Sequence, residues 1–132
     1  MGIKGIRNVV RGIALSSFLL LAAAAWASEQ SKYQEGTLKV FLMEIRGDID
    51  PRMNRYVDLA LDQATEVNAD IILIDMDTYG GAVNDANDIR TKILEYEKSI
   101  WVFINNDAAS AGALISIACD SIYMVPGANI GA

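Results

Sequence analysis

Histidine is absent from all 132 residues. Its absence excludes a Ser-His-Asp triad, a Cys-His pair and the commonest zinc sites within the chain, so any hydrolytic chemistry needs another base. Cysteine is almost absent too. With Cys119 alone no internal disulfide can form, stability has to come from packing, and the thiol itself is expected in the core. Basic residues are scarce: 11 Lys and Arg stand against 17 Asp and Glu, for a net charge of −6. No basic patch offsets this balance, which argues against nucleic acid as a partner.

A long membrane-spanning run is also missing. Ile13 to Ala25 is apolar but too short for a convincing span. It follows a basic start, Lys4, Arg7 and Arg11, and precedes Ala25-Trp26-Ala27, which fits the small-x-small rule for signal cleavage. Residues 1–27 therefore read as a secretory signal cut before Ser28, with an uncleaved N-terminal membrane anchor as the alternative. In either case the remainder is exported, to the periplasm or the extracytoplasmic face of the membrane. Residues 28–36 are polar and read as a linker, leaving 37–132 as one domain with a modest core.

Within that domain, Leu38 to Ile45 is rich in strand formers and ends at Gly47-Asp48. Pro51 to Val67 repeats apolar residues at spacings of three and four behind a plausible N-cap, Asp50, which predicts an amphipathic helix. Asp70 to Asp75 carries the apolar run Ile71-Ile72-Leu73-Ile74 of a strand covered on both faces. Val83 to Tyr96 predicts a helix, Ile100 to Ile104 a strand, Ser110 to Ala118 a small-residue helix and Ser121 to Val125 a fourth strand. Pro126 to Ala132 reads as a turn-forming segment with no closing element. The alternation predicts an α/β fold with crossover connections and a largely parallel sheet.

Two small-residue junctions follow predicted strands: Asp77-Thr78-Tyr79-Gly80-Gly81-Ala82, and Asn105 to Ala113 around Ser110. The carboxyl edge of a parallel sheet is where ligands bind. Paired glycines let backbone approach a substrate and turn an amide outward, and a serine opening a helix stands beside amides with no acceptor yet. Ser110 as nucleophile, with the Gly81 and Ala111 amides as an oxyanion hole and Tyr79 and Gly80 contacting substrate, is the chemistry this pattern allows. The same residues are also ordinary solutions for turns and tight packing.

The order of these motifs, Asp-Thr-x-Gly-Gly, then Asn-Asn-x-Ala-Ala-Ser-Ala-Gly-Ala, then Asp-Ser-Ile-Tyr-Met-Val-Pro-Gly-Ala-x-Ile-Gly-Ala, resembles the NfeD family of ClpP-class serine proteases over nearly all of Leu38 to Ala132. The resemblance implies a ClpP/crotonase-like fold of stacked ββα units, a serine nucleophile matching Ser110 and an oxyanion hole matching Gly81 and Ala111. It also implies a lysine general base, in keeping with the missing histidine. A lysine can act so only if burial or nearby cations lower its pKa. Family members carry it a few tens of residues beyond the nucleophile, whereas Lys32, Lys39, Lys92 and Lys98 all precede Ser110. The chain is accordingly read as an N-terminal fragment, truncated on its C-terminal side and inactive by itself, with the base past Ala132.

Tyr79 stands where many relatives have proline, and is expected to add an aromatic wall near the cleft. Asp75, Asp77 and Asp107 could be taken for a carboxylate metal cluster, but strand-end carboxylates are more often solvated or capping, and no metal or other cofactor is expected. Cys119 reads as a packed thiol. Trp101, Phe103, Met43, Met53 and Met76 read as core, and Ile115, Ile117 and Ile122 as apolar surface left for later elements to cover.

The function expected is a membrane-associated serine endopeptidase of Ser-Lys type cleaving apolar segments of membrane proteins. Family resemblance implies a stomatin-like membrane protein as substrate partner and a homo-oligomer at full length. The alternatives are a non-catalytic membrane scaffold and a crotonase-like acyl-CoA enzyme, the latter disfavoured by export because coenzyme A is cytoplasmic.

Overall fold

The computed structural model describes residues 36–132; the signal, or anchor, expected for 1–27 lies outside them. Five strands form one parallel sheet. In chain order the elements are β1 (Val40–Arg46), α1 (Pro51–Glu66), β2 (Ile71–Thr78), α2 (Val83–Glu95), β3 (Ser99–Ala109), α3 (Ala111–Ser116), β4 (Ser121–Met124) and β5 (Asn129–Gly131). The strands lie in the order β1-β2-β3-β4, and β5 pairs with the far half of β3. Sequential parallel neighbours require a crossover each time, and the helices supply it.

The strand period of two divides the sheet into two faces. Met43 and Ile45 of β1 register beside Ile74 and Met76 of β2, which register beside Val102 and Ile104 of β3. All six are fully buried, and Val57, Ala60, Leu61 and Ala64 of α1, Ala86, Ile89 and Ile93 of α2, and Ala111 and Ile115 of α3 complete the same core. Each such aliphatic side chain contributes roughly 1.5–3 kcal/mol by leaving water. Helix α1 begins where expected: the Asp50 carboxylate accepts from the amides of Arg52 and Met53, both at 2.9 Å, ahead of Pro51. Such a cap satisfies donors the helix cannot pair internally.

The opposite face carries Leu42, Leu73, Trp101, Phe103 and Tyr123, half-buried or exposed. Trp101 and Phe103 are therefore not core residues. They alternate with Ile100, Val102 and Ile104, which face the helices, and the Trp101 ring instead meets Tyr123 with centroids 5.8 Å apart. Met53 is half-buried, and Cys119 packs at the margin of the core. Ile115 is buried, whereas Ile117 and Ile122 remain exposed as expected.

The structure departs from the sequence expectation most at the carboxyl edge. Strand β2 continues to Thr78 and β3 to Ala109, well past Ile104. The register explains the missing signal: Met76 pairs with Ile104 but Thr78 with Ala108, so β3 carries extra residues there. A bulge exposes polar residues without ending the strand. Helix α3 stops at Ser116 and does not reach Ala118. The last segment is not an open turn. Asn129, Ile130 and Gly131 register with Asp107, Ala108 and Ala109 to form β5.

Candidate active site

Every residue singled out around Ser110 lies at this extended carboxyl edge. Ser110 joins β3 to α3 with φ 51 and ψ −109, a backbone conformation that a residue bearing Cβ rarely adopts. Its side chain caps no helix amide, so the hydroxyl is not spent on the local hydrogen bond that serines usually make there. Its own amide donates to the carbonyl of Gly131 at 2.6 Å. Strain of about 1–3 kcal/mol persists only where surrounding structure over-determines it, and it concentrates at functional sites.

The glycine turn is brought against this serine. A Cβ on Gly80 would stand 3.0 Å from the Ser110 Cβ and 3.4 Å from the Ala111 nitrogen, and Gly80 has φ +116. Gly81 is packed on its other side, in a bridge to Ile49 where a Cβ would lie 2.1 Å from the Ile49 oxygen. That bridge uses the amides of Ile49 and Ala82, at 2.9 Å and 2.7 Å from their acceptors, and leaves the Gly81 amide outside it. The Ala111 amide, in the first turn of α3, has no intrahelical acceptor.

Ser110, Gly81 and Ala111 all border a groove of about 340 Å³ whose other walls are Val83, Ala86, Ala113, Leu114 and the terminal Gly131 and Ala132. Among the described residues no charged side chain lines it. Tyr79 is not part of this wall: it projects into solvent, 77% exposed, beside Asp107, whose charge pushes the phenol pKa upward. Asp107 also accepts from the Asn129 side-chain Nδ2 at 3.0 Å. Asp75 takes the guanidinium of Arg46, and Asp77 accepts from Asn106 at 3.4 Å.

Lys32 lies outside the described residues, and among those described Lys39, Lys92 and Lys98 do not border the groove. Lys39 donates to the Val67 carbonyl at 2.6 Å, and Lys92 donates to the Asn54 side-chain oxygen at 2.5 Å while pairing with Asp58 at 2.6 Å. Cys119 is also removed from this chemistry: burial first, and Asp120 second, push its thiol up to about 12. A thiol that stays protonated is a poor nucleophile.

Sequence reading missed two contributors. Thr78 is buried between the glycine turn and α3, and β5 supplies the acceptor for the Ser110 amide. Gly112 carried a usable signal, a glycine inside a short helix, which often marks a close approach.

Comparison with known proteins agrees with this fold. Residues 39–132 match the family described as NfeD1b, N-terminal domain. Membrane protein NfeD1b of Bacillus subtilis is 33% identical over 130 residues, 98% of this chain and 28% of that protein. The membrane-bound protease PH1510 of Pyrococcus horikoshii is 30% identical over 96 residues, 70% of this chain and 22% of that protein. The chain thus spans less than a third of either relative's length. The solved 1510-N membrane protease from Pyrococcus horikoshii, specific for a stomatin homolog, has a TM-score of 0.67 at 29% identity, covering 74% of this chain and 50% of that one. Its solved forms include a serine-to-alanine variant and a lysine-to-alanine variant holding a substrate peptide. ClpP1 of Listeria monocytogenes has a TM-score of 0.57 at 26% identity, covering 59% of this chain and 46% of that one.

Proposed function

The chain belongs to the NfeD1b N-terminal domain family, whose relatives are ClpP-like proteases, and from that premise we propose that Ser110 is the nucleophile of a membrane-associated serine endopeptidase. The observation that carries the proposal is the strained backbone of Ser110, with an uncommitted hydroxyl on a groove that Gly81 and Ala111 also border.

In this reaction the Ser110 oxygen attacks a peptide carbonyl carbon. The carbonyl oxygen, becoming an oxyanion, takes hydrogen bonds from the Gly81 and Ala111 amides, an arrangement whose single donors are worth about 3–4 kcal/mol of barrier when removed elsewhere. Collapse releases the amine, which takes up the proton removed from Ser110, and leaves an acyl-serine, which water then hydrolyses. A base must take the serine proton, and from the family resemblance we assign that role to a lysine. Lys39 and Lys92 are engaged elsewhere, and the resemblance puts the base beyond Ser110 in sequence.

The groove walls are aliphatic, which favours an extended, apolar segment. Gly80 brings the turn's backbone to the serine, and Tyr79 stands outside the groove where it would meet flanking substrate residues. A stomatin-like membrane protein is the substrate class we propose, by analogy with the relative specific for a stomatin homolog. The relatives named as membrane proteins support association with a membrane; we place the domain of residues 37–132 on its extracytoplasmic side, behind a signal at 1–27, and expect self-assembly at full length. Among the described residues no helix is long and apolar enough to cross a membrane.

The test uses the natural full-length protein. A fluorophosphonate is expected to modify Ser110, located by mass spectrometry, and Ser110→Ala is expected to abolish both the adduct and cleavage of an apolar peptide. Cleavage that survives Ser110→Ala would overturn the assignment.

A further inference from the structure

One buried side chain touches the segments that flank Ser110 without bordering the groove. Thr78 is 1% exposed at the end of β2. Its hydroxyl donates to the Gly47 carbonyl at 2.5 Å and accepts from the Gly80 amide at 3.0 Å. Its methyl group fills the space where a Cβ on Gly112 would sit, 2.5 Å from the Thr78 Cγ2. The three contacts reach the turn after β1, the glycine turn after β2, and the helix that follows Ser110.

Each contact restricts a different freedom. The Gly80 amide, bonded back to the side chain two residues earlier, fixes the direction in which the chain leaves β2. The Gly47 acceptor anchors that hydroxyl to the neighbouring strand end, so the turn cannot swing as a unit. The methyl against Gly112 sets how near α3 approaches β2, and α3 carries the Ala111 amide. Gly80 in turn lies against the Ser110 Cβ.

We infer that Thr78 is the positioning residue of the site, holding the Gly80-Gly81 turn and the start of α3 at a fixed separation on either side of Ser110. This deepens the proposed protease chemistry and rests on it for its consequence, since an oxyanion hole works only when both donors meet the same oxygen. A hydroxyl alone or a methyl alone does half of this; threonine supplies both from one Cβ.

Two substitutions separate the halves in the natural full-length protein. Thr78→Val keeps the methyl and loses the hydroxyl. It is expected to speed hydrogen exchange of the Gly80 amide by about tenfold or more, because a buried donor loses its acceptor. It is also expected to slow fluorophosphonate labelling of Ser110 by about tenfold or more at temperatures where circular dichroism shows the native fold. Thr78→Ser restores the hydroxyl and is expected to recover most of both.

The methyl contact is tested by Gly112→Ala, which is expected to slow labelling, and by adding Thr78→Ser to it, which opens the space and is expected to recover part of the loss. That non-additivity is what coupled neighbours show and a merely destabilised fold does not. Should Thr78→Val fail to fold, the Gly112→Ala pair carries the test alone.

Wild-type labelling in Thr78→Val, with unchanged Gly80 exchange, would overturn the inference. A wild-type protein that takes no label, together with lost Gly80 protection in Thr78→Val, would overturn the nucleophile assignment and leave Thr78 as the residue that fixes the turn.

Discussion

Replacing Gly81 by alanine tests how closely the glycine turn is built against its neighbour. The new Cβ would stand 2.1 Å from the Ile49 oxygen and 2.7 Å from its nitrogen, well inside the 3.0 Å that real Cβ atoms respect. Because these are backbone atoms, no side chain can rotate away. The turn or the segment through Ile49 must move by about 1 Å, and the bridge bonds from Ile49 and Ala82, at 2.9 Å and 2.7 Å, are strained or lost. Two such bonds at about 1 kcal/mol each, with about 1 kcal/mol of backbone strain, give roughly 3 kcal/mol. For a domain of this size 1 kcal/mol corresponds to about 4–8 °C, so melting should fall by about 15 °C.

Gly47 supplies the control. It has φ +83 but nothing within 4 Å of an added Cβ, so Gly47→Ala feels only the conformational part, about 1 kcal/mol, or roughly 5 °C. Thermal unfolding followed by circular dichroism measures both. Equal losses in the two variants would show that left-handed geometry, and not the approach of Ile49, dictates glycine at the turn, and would refute the packing argument.

Other consequences follow from single side chains. The Asp50 carboxyl is held below its usual range by the Met53 amide first and the Arg52 guanidinium next; its stabilisation is therefore complete above the unfolded value of about 3.9 and lost as pH falls through the lower folded value. Asp50→Asn, which keeps a capping oxygen but cannot titrate, should flatten the acid limb of melting temperature against pH, and parallel limbs would contradict the linkage. Cys119, pushed up to about 12, should resist iodoacetamide at pH 8 in the native protein and react on unfolding in guanidinium; native alkylation at the rate of a free thiol would refute its burial. Lys92→Met should leave labelling of Ser110 within about twofold, since Lys92 is tied to Asn54 and Asp58; a tenfold drop would make Lys92 the base.

The sequence announced the helices and the buried halves of the strands because apolar period and capping act locally. Asp50 before Pro51 marks the start of α1, and Ile71 to Ile74 marks β2. What it hid lies at the carboxyl edge. Asn105, Asn106 and Asp107 look like a loop because their side chains are polar, yet their backbone stays in β3 across a register shift. Asn129 to Gly131 lacks any strand pattern, and only pairing with β3 makes it one. Thr78 reads as an ordinary strand residue, since its role depends not only on nearby Gly80 but on Gly47 and Gly112, which only the folded chain brings to it.

The bond from the Ser110 amide to the Gly131 carbonyl has a consequence for the newborn chain. Ser110 leaves the ribosome before β5 does, and until β5 pairs its amide lacks the Gly131 acceptor, one of the contacts around its positive-φ backbone. That contact forms only when the strand made after it folds back along β3, so the serine's surroundings are completed by a segment synthesised behind it.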